Sequence, residues 1–260
     1  MKAVHDALIM RLNGEHLEEL TDQVAAEAPF ALEVNGQLLV TLVCTPTDLD
    51  AMTVGFLLSE GILTDRESLL NLTVNEKDGV VSVSLKNLPD DFDQITRKKT
   101  ITSGCGQGIT FSDGSNLEAI PANQVRIRVT PADLRSLLKE FRSISDLFQK
   151  TGGVHSAALA DRNKLILFAE DIGRHNAVDK LIGRAFLDEI PVEDKILLSS
   201  GRISGEIMTK VIRNRIPILI SRTAPTCMSL TYAEDYGITL IGFARGNRMN
   251  IYTHPQRIVL

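Results

Sequence analysis

The chain lacks any apolar run long enough to cross a bilayer. Its longest, such as Ile216 to Ile220, fall far short of the roughly 18 residues that suggest a spanning helix. The N-terminus has no basic region followed by a long apolar one, so the expected location is the cytoplasm, with no membrane partner. Cysteine is scarce. The three present, Cys44, Cys105 and Cys227, are an odd number and widely spread, without Cys-x-x-Cys spacing or a nearby histidine cluster. That argues against a disulfide framework or a structural zinc site, and any special cysteine must be reactive alone. The 260 residues, 43% apolar and 23% charged, lie near soluble-protein averages, which excludes extensive disorder and leaves room for one large or two modest domains.

Acidic charge prevails, with a net −5, but unevenly. From Lys195 to Leu260, nine Lys or Arg face three acids, a balance of +6 against −11 for the residues before them. Overall acidity argues against broad nucleic-acid binding, whereas a local basic field suits one phosphorylated ligand.

Two hairpins open the chain's regular pattern. Pro29 to Val34 and Gln37 to Cys44 flank Asn35-Gly36, a pair that supplies the positive φ angles of a tight turn. Leu72 to Asn75 and Val80 to Leu85 bracket Lys77-Asp78-Gly79. Between them a helix capped by Thr47 and ended by Gly61 carries Leu49, Met52, Phe56 and Leu57 on one side. Residues 15 to 28 fit either a short helix or an irregular strand. The first hundred residues read as a small α+β unit.

Thr130-Pro131 starts a helix whose apolar positions Leu134, Leu137, Leu138, Phe141, Ile144 and Phe148 carry it to Gly152-Gly153. Strands at Val154 to Ala160 and Leu165 to Phe168 follow. Beyond them helices at about Arg174 to Phe186, Ile203 to Arg213 and Thr226 to Tyr236 alternate with strands at Ile196 to Leu198, Ile216 to Ile220 and Ile238 to Phe243. Such alternation implies a sandwiched α/β sheet. The expected division is an N-terminal α+β domain over 1–111, a connector at 112–130 and a C-terminal α/β domain over 131–260.

Chemistry concentrates in two places. In Thr100-Ile-Thr-Ser-Gly-Cys105-Gly-Gln-Gly108-Ile-Thr, glycines leave one thiol with almost no flanking bulk, a poor choice for packing and a good one for access to sulfur. Arg97-Lys98-Lys99 lies just upstream, and positive charge favours the thiolate. Cys105 is the leading nucleophile, while Cys44, at the end of an apolar strand, reads as a core residue. The second cluster comprises Gly153-Val-His155-Ser, Glu170 to Asp179, Ser199-Ser-Gly-Arg-Ile-Ser-Gly205 and Phe243-Ala-Arg-Gly-Asn-Arg248. Each segment falls at a strand-to-helix junction or strand end, where α/β sheets hold ligands. Ser199 to Ser204 looks like a phosphate cradle at a helix start, but it lacks the Gly-x-x-x-x-Gly-Lys-Ser/Thr spacing of ATP hydrolysis. Gly173 and Gly201 could instead merely shape turns, with Asp171 capping a helix. The zinc-deaminase motifs are also incomplete. His155-Ser-Ala157 lacks the acid and Pro225-Thr-Cys227-Met-Ser lacks the cysteine pair, so no zinc is expected.

Taken together, Pro29 to Gly36, Gly55-Phe-Leu-Leu-Ser-Glu-Gly-Ile62, the Cys105 loop, Glu170-Asp-Ile-Gly-Arg-His-Asn-Ala-Val-Asp-Lys180 and Gly242 through Tyr252-Thr-His-Pro-Gln-Arg257 closely resemble the FdhD family of formate dehydrogenase accessory sulfurtransferases. The resemblance covers most of the chain. It implies a cytidine-deaminase-like C-terminal domain, a homodimer, and a sulfur carrier that moves sulfane sulfur from a cysteine desulfurase to a bis-molybdopterin guanine dinucleotide cofactor destined for formate dehydrogenase. By motif position Cys105 would carry the persulfide. Phe243, Ala244, Arg245, Gly246, Asn247 and Arg248 would form the cofactor-binding segment. Many members carry Cys-x-x-Cys in the loop. Here the second position is Gly108, which removes a two-thiol relay within it. The ligand carries phosphates, so Arg174, Arg202, Arg245 and Arg248 are candidate phosphate partners, and His155 and His175 candidate orienting groups. Two alternatives stand beside this one: a chaperone that binds the molybdenum cofactor without sulfur chemistry, and a redox sensor, which would lack a resolving cysteine nearby in sequence.

Overall fold

The computed structural model describes residues 1–90, 92, 100–101, 109–110, 117–121 and 127–260. Cys105, the basic triplet before it and parts of the expected connector lie outside the described residues.

The chain begins with a hairpin that sequence reading missed. Strands β1 (Val4–Asn13) and β2 (His16–Ala25) pair antiparallel along their whole length, and Gly14, at φ 65, opens the two-residue turn. Residues 15 to 28 gave no clear period because most side chains on both faces of this ribbon are solvent-facing. The Asn35-Gly36 hairpin forms as expected between β3 (Ala28–Val34) and β4 (Gln37–Cys44), with φ of 49 and 80 at the two turn residues. With β5 (Leu69–Asn75) and β6 (Val80–Leu85) it makes a four-stranded sheet of order β4-β3-β6-β5, in which only β3 and β6 run parallel. Two short strands, β7 (Thr100–Ile101) and β8 (Ile109–Thr110), form a separate antiparallel pair.

Helix α1 (Leu49–Glu60) differs from its one-sided expectation: every residue but Asp50 is buried. It is also not capped by Thr47. Asp48 holds the cap position in a left-handed conformation, and the Thr47 hydroxyl instead accepts a hydrogen bond from Lys180 at 3.2 Å. Gly61 ends the helix at φ 73, as read.

The second half opens with α2 (Pro131–Ser143), where Thr130 and Asp133 exchange the two hydrogen bonds of a capping box. The helix expected to reach Gly152 breaks after Ser143, and a short α3 (Asp146–Thr151) follows. Glu170 explains the break: its carboxylate accepts hydrogen bonds from the Leu147 and Phe148 amides and from the Ser145 hydroxyl, anchoring the start of α3 from another strand. Ile144 and Phe148, which looked like further core positions, are exposed.

The remaining elements are β9 (His155–Ala160), β10 (Leu165–Asp171), α4 (Arg174–Leu187), β11 (Ile196–Ser199), α5 (Gly205–Arg213), β12 (Ile218–Ser221), α6 (Cys227–Asp235), β13 (Thr239–Arg245) and β14 (Arg248–Ile251). They build one six-stranded sheet of order β10-β9-β11-β12-β13-β14. Its middle strands β11 and β12 are buried at every position, each an apolar run of three residues ending in a buried serine. Strand β14 adds an edge over residues to which the sequence pattern assigned no element. The fold class is thus a small N-terminal α+β unit beside a C-terminal α/β unit. Buried apolar side chains of both, Leu57 and Leu181 among them, belong to one continuous core. Among the described residues, no helix is long and apolar enough to cross a membrane.

Candidate functional site

Topology gathers the candidate residues. Strands β11, β12 and β13 run parallel, β9 runs against them, and β10 runs against β9. The start of β9 therefore shares one sheet edge with the ends of β10, β11, β12 and β13. His155 registers opposite Asp171, Ala157 opposite Ser199, and Ser199 opposite Ser221. Helices α4, α5 and α6 all begin at this edge, so the positive ends of three helix dipoles face it.

On the β9–β10–β11 side, His155, Arg174 and Gly201 meet. A Cβ on Gly201 would lie 2.9 Å from Arg174 Cβ and 3.4 Å from His155 Nδ1, so only glycine leaves room for both neighbours. His155 Nδ1 is 3.2 Å from the Ser200 hydroxyl, which also accepts the Ser156 amide proton. Burial, then the charges of Arg174 and His175, push the His155 imidazole below its ordinary value, which keeps it neutral near pH 7. His175, one residue on from Arg174, has its Nε2 2.9 Å from Glu206 Oε2, a contact between the first turns of α4 and α5.

Beneath this cluster Asp171 organises the turn into α4. It is not the N-cap, a position held by Gly173. Its Oδ1 accepts from the Gly173 amide and the Asn176 side chain, and its Oδ2 accepts from the Thr45 amide and lies 2.8 Å from Lys180 Nζ. Asp171 and Lys180 side chains are wholly buried, so this ion pair is internal and fixes the start of α4, where Arg174 is itself buried and His175 half-buried.

The Ser199–Ser204 loop is not an open phosphate cradle. Three of its amides are already engaged: Ser200 N–H donates to Ser156 O, Gly201 N–H to the Ser199 hydroxyl, and Ile203 N–H to Ala224 O. The Ser204 hydroxyl caps α5. Glycine here serves packing against Arg174 rather than exposed backbone donors. Arg202, on the same loop, points to solvent.

On the other side, the predicted cofactor segment forms the tip of the β13–β14 hairpin. Arg245 and Arg248 pair across it, and Gly246 (φ 55) with Asn247 makes the turn. Gly246 and Asn247 are exposed along with both arginines, whereas the Ala244 side chain is buried. Phe243 is unusual on two counts. Its φ is 50, a costly conformation for a bulky residue, and it is 37% exposed. A β-bulge between Gly242 and Arg245 and a hydrogen bond from the Phe243 amide to Thr223 O hold it so. The strain presents an aromatic ring at the strand ends instead of burying it.

Sequence reading overlooked Arg222, which directly follows β12 and whose carbonyl accepts the Arg245 Nε proton at 2.9 Å. The signal was present, since the strand-end rule that selected Ser199 to Ser204 applies equally to Ser221-Arg222-Thr223. Cys44 is buried, and its thiol is pushed up to about 12, first by burial and then by Asp171. That agrees with its reading as a core residue. Among the described residues, no group of three or more His, Cys, Asp or Glu could hold a metal ion.

The arrangement offers cations, a neutral imidazole and an exposed aromatic ring along one edge, where the exposed Cys227 thiol also stands at the start of α6. Known proteins agree with this architecture across the chain. A solved structure described as a formate dehydrogenase accessory protein, from Desulfotalea psychrophila, superposes with a TM-score of 0.81 over 99% of this chain and all of its own, at 25% identity. Two proteins named sulfur carrier protein FdhD are 39% identical over 98% of this chain and 97% of their own length (Bacillus subtilis) and 38% identical over 96% and 95% (Staphylococcus aureus strain MRSA252). The FdhD/NarQ family model matches residues 25–259, and with these identities the chain belongs to the FdhD/NarQ family.

Proposed function

We propose that the protein is a sulfurtransferase that carries sulfur on Cys105 and passes it to a molybdenum cofactor of the bis-molybdopterin guanine dinucleotide type. A cysteine desulfurase would be the donor, formate dehydrogenase the final recipient, and the working form a homodimer. The observation that carries the reading is the near-full-length identity with relatives named sulfur carriers, in a chain with one glycine-flanked cysteine. In the first step the Cys105 thiolate attacks the outer sulfur of the desulfurase persulfide. A new S–S bond forms on Cys105, the old one breaks, and the desulfurase cysteine leaves as thiolate. In the second step the S–S bond on Cys105 would break, Cys105 leaving as thiolate and the outer sulfur going to the cofactor, with the two electrons that bring it to the sulfide level supplied by a thiol reductant. The protein's part there is to hold the cargo: Phe243 offers a face for a guanine ring, and Arg245 and Arg248 offer charge-assisted hydrogen bonds to phosphate.

Mass spectrometry after incubation with a cysteine desulfurase and cysteine tests the sulfur step. A gain of one sulfur atom on the Cys105 peptide is expected, and its loss in Cys105→Ala. A Cys105→Ala protein that still matures formate dehydrogenase at the parent rate would leave the cofactor-chaperone reading in its place.

A further inference from the structure

Residues Met10 to Glu19, the outer half of the β1–β2 ribbon, are all exposed. The ribbon is a sheet of its own, joined to no other described strand. Its base is anchored, since Val4 and Ala25 are half-buried and the Ala26 amide donates to Ala3 O. Among the described residues nothing covers its tip, and a lone two-stranded hairpin is marginal in water. Opposite residues of an antiparallel pair share a face, so Leu8, Met10 and Leu12 stand beside Thr21, Glu19 and Leu17. On this face Leu8 is 71% exposed, Met10 56%, Leu12 67% and Leu17 56%. Four large apolar side chains turned to water on one protruding ribbon mark an interaction surface.

Charge selects what covers it. Residues 4–25 hold five acids, Asp6, Glu15, Glu18, Glu19 and Asp22, against the single base Arg11. Arg11 pairs with Asp22, and among the described residues none of the three glutamates has an ion-pair partner. Two ribbons packed on each other by their apolar faces would bring Asp6 and Glu19 of one copy against the same acids of the other. The seat must instead be basic and apolar, and the chain itself supplies one. Lys195 to Leu260 hold nine Lys or Arg against three acids. Within that stretch Met228, Ile251 and Tyr252 are exposed, as is Arg248. A Cβ on Gly242 would meet Tyr252 at 3.0 Å and Pro225 at 3.1 Å, so the start of α6 and the end of β14 form one surface. Strand β14 is also the outer strand of its sheet.

Area points to a reciprocal contact. From Asp6 to Leu12 the apolar face is about 23 Å long and about 10 Å wide, which falls short of the roughly 800 Å² that each partner gives to a stable interface. A two-fold axis seats each copy's ribbon on the other and doubles the contact, which an unrelated partner cannot do.

We propose that the β1–β2 ribbon is an exchange arm. In the homodimer its Leu8, Met10, Leu12 and Leu17 face seats on the C-terminal unit of the second copy, over the start of α6 and the outer strand β14, with Glu19 meeting basic side chains there. The arm rests on the homodimer of the function proposed above and on no other part of it.

Sedimentation equilibrium of the full-length protein tests the arm, with circular dichroism confirming the fold of each variant. The parent is a dimer. Leu12→Ser with Leu17→Ser raises the dissociation constant roughly tenfold or more, as the loss of buried leucine contacts requires. Glu19→Lys raises it as well, by setting like charge against the basic seat. Leu70→Ser, which removes an equally exposed leucine from β5, leaves it unchanged. All four positions are exposed, so the variants fold. The seat is read by putting the photoreactive p-benzoylphenylalanine in place of Leu12 in isotopically heavy protein, mixing it with light protein and mapping the adducts. Heavy peptides of the ribbon should join light peptides from within residues 195–260. The arm is overturned if the double serine variant dimerises as tightly as the parent, if Leu70→Ser weakens the dimer equally, if Glu19→Lys leaves the constant unchanged or lowers it, or if the adducts fall on the second copy's ribbon. A monomeric parent removes the homodimer and the arm together. Sulfur loading of Cys105, measured separately by mass, tests the sulfur reading independently of either result.

Discussion

Gly55 of α1 and Gly183 of α4 let two helix backbones touch. A Cβ on Gly55 would stand 1.8 Å from the Asp179 carbonyl oxygen, and one on Gly183 would stand 1.8 Å from that of Ala51. The obstacle on each side is backbone, which cannot swing aside. This contact seats the N-terminal unit on the helix whose first turn carries Arg174 and His175, so site geometry depends on Gly183 of that same helix and on Gly55, far from it in sequence. Either Gly55→Ala or Gly183→Ala should force the helices apart. Overpacking of this kind costs at least about 1–3 kcal/mol, read as a lower urea midpoint. An alanine variant with the parent's midpoint would show that the helices separate without cost.

Lys180 and Asp171 form a buried ion pair inside the C-terminal unit, and both reach across to Thr45 of the N-terminal unit by hydrogen bonds. Besides Asp171, the ammonium donates to the Thr45 carbonyl at 3.0 Å and to the Glu170 carbonyl at 3.2 Å. Breaking a buried pair from one side leaves an uncompensated charge, so Lys180→Met should cost about 3–5 kcal/mol. Replacing both partners, Asp171→Asn with Lys180→Met, should cost less than the single change. Urea denaturation of the three proteins checks this, and a double variant less stable than Lys180→Met would contradict it.

The parts of this molecule that sequence disclosed are those in which one local rule decides. Asn35-Gly36 dictates its hairpin, Thr130-Pro131 its helix start, and the unbroken apolar runs at β11 and β12 their burial. Those it hid depend on distant partners. The break before α3 comes from Glu170, which sits on another strand and captures the Leu147 and Phe148 amides. The spent amides of Ser200 and Ile203 are filled by Ser156 and Ala224, so a glycine-containing loop that looked open is closed. Phe243 was recognised by its motif position, yet its left-handed backbone and exposed ring became visible only in three dimensions.

Thiol environments separate the described cysteines. Cys44 is buried with a thiol pushed up to about 12, so almost no thiolate forms at neutral pH, whereas Cys227 is exposed at the start of α6. In the native protein at pH 7.5, N-ethylmaleimide should modify Cys227 and leave Cys44 untouched until denaturant is added. Peptide mapping after brief labelling reads this directly. Native labelling of Cys44 at a rate comparable with Cys227 would mean that β4 opens readily, contrary to its place in the core.

His155 makes the site edge sensitive to acid. Its imidazole titrates below the ordinary 6.5 because burial, then Arg174 and His175, disfavour the charged form, with Asp171 opposing. The folded protein therefore binds fewer protons than the unfolded chain once pH falls below that ordinary value. The contribution to stability is intact above about 6.5 and declines as pH falls from there through the depressed folded value. His155→Gln removes this titration without adding charge. Between pH 7.5 and 5 the parent should lose more stability than the variant, measured by urea midpoints at each pH. An NMR titration gives the matching local readout: the His155 midpoint should lie below 6.5 in the parent and move upward in Arg174→Ala. A midpoint unmoved by loss of Arg174 would show that this guanidinium does not act on the imidazole, and that the packing of both against Gly201 is steric alone.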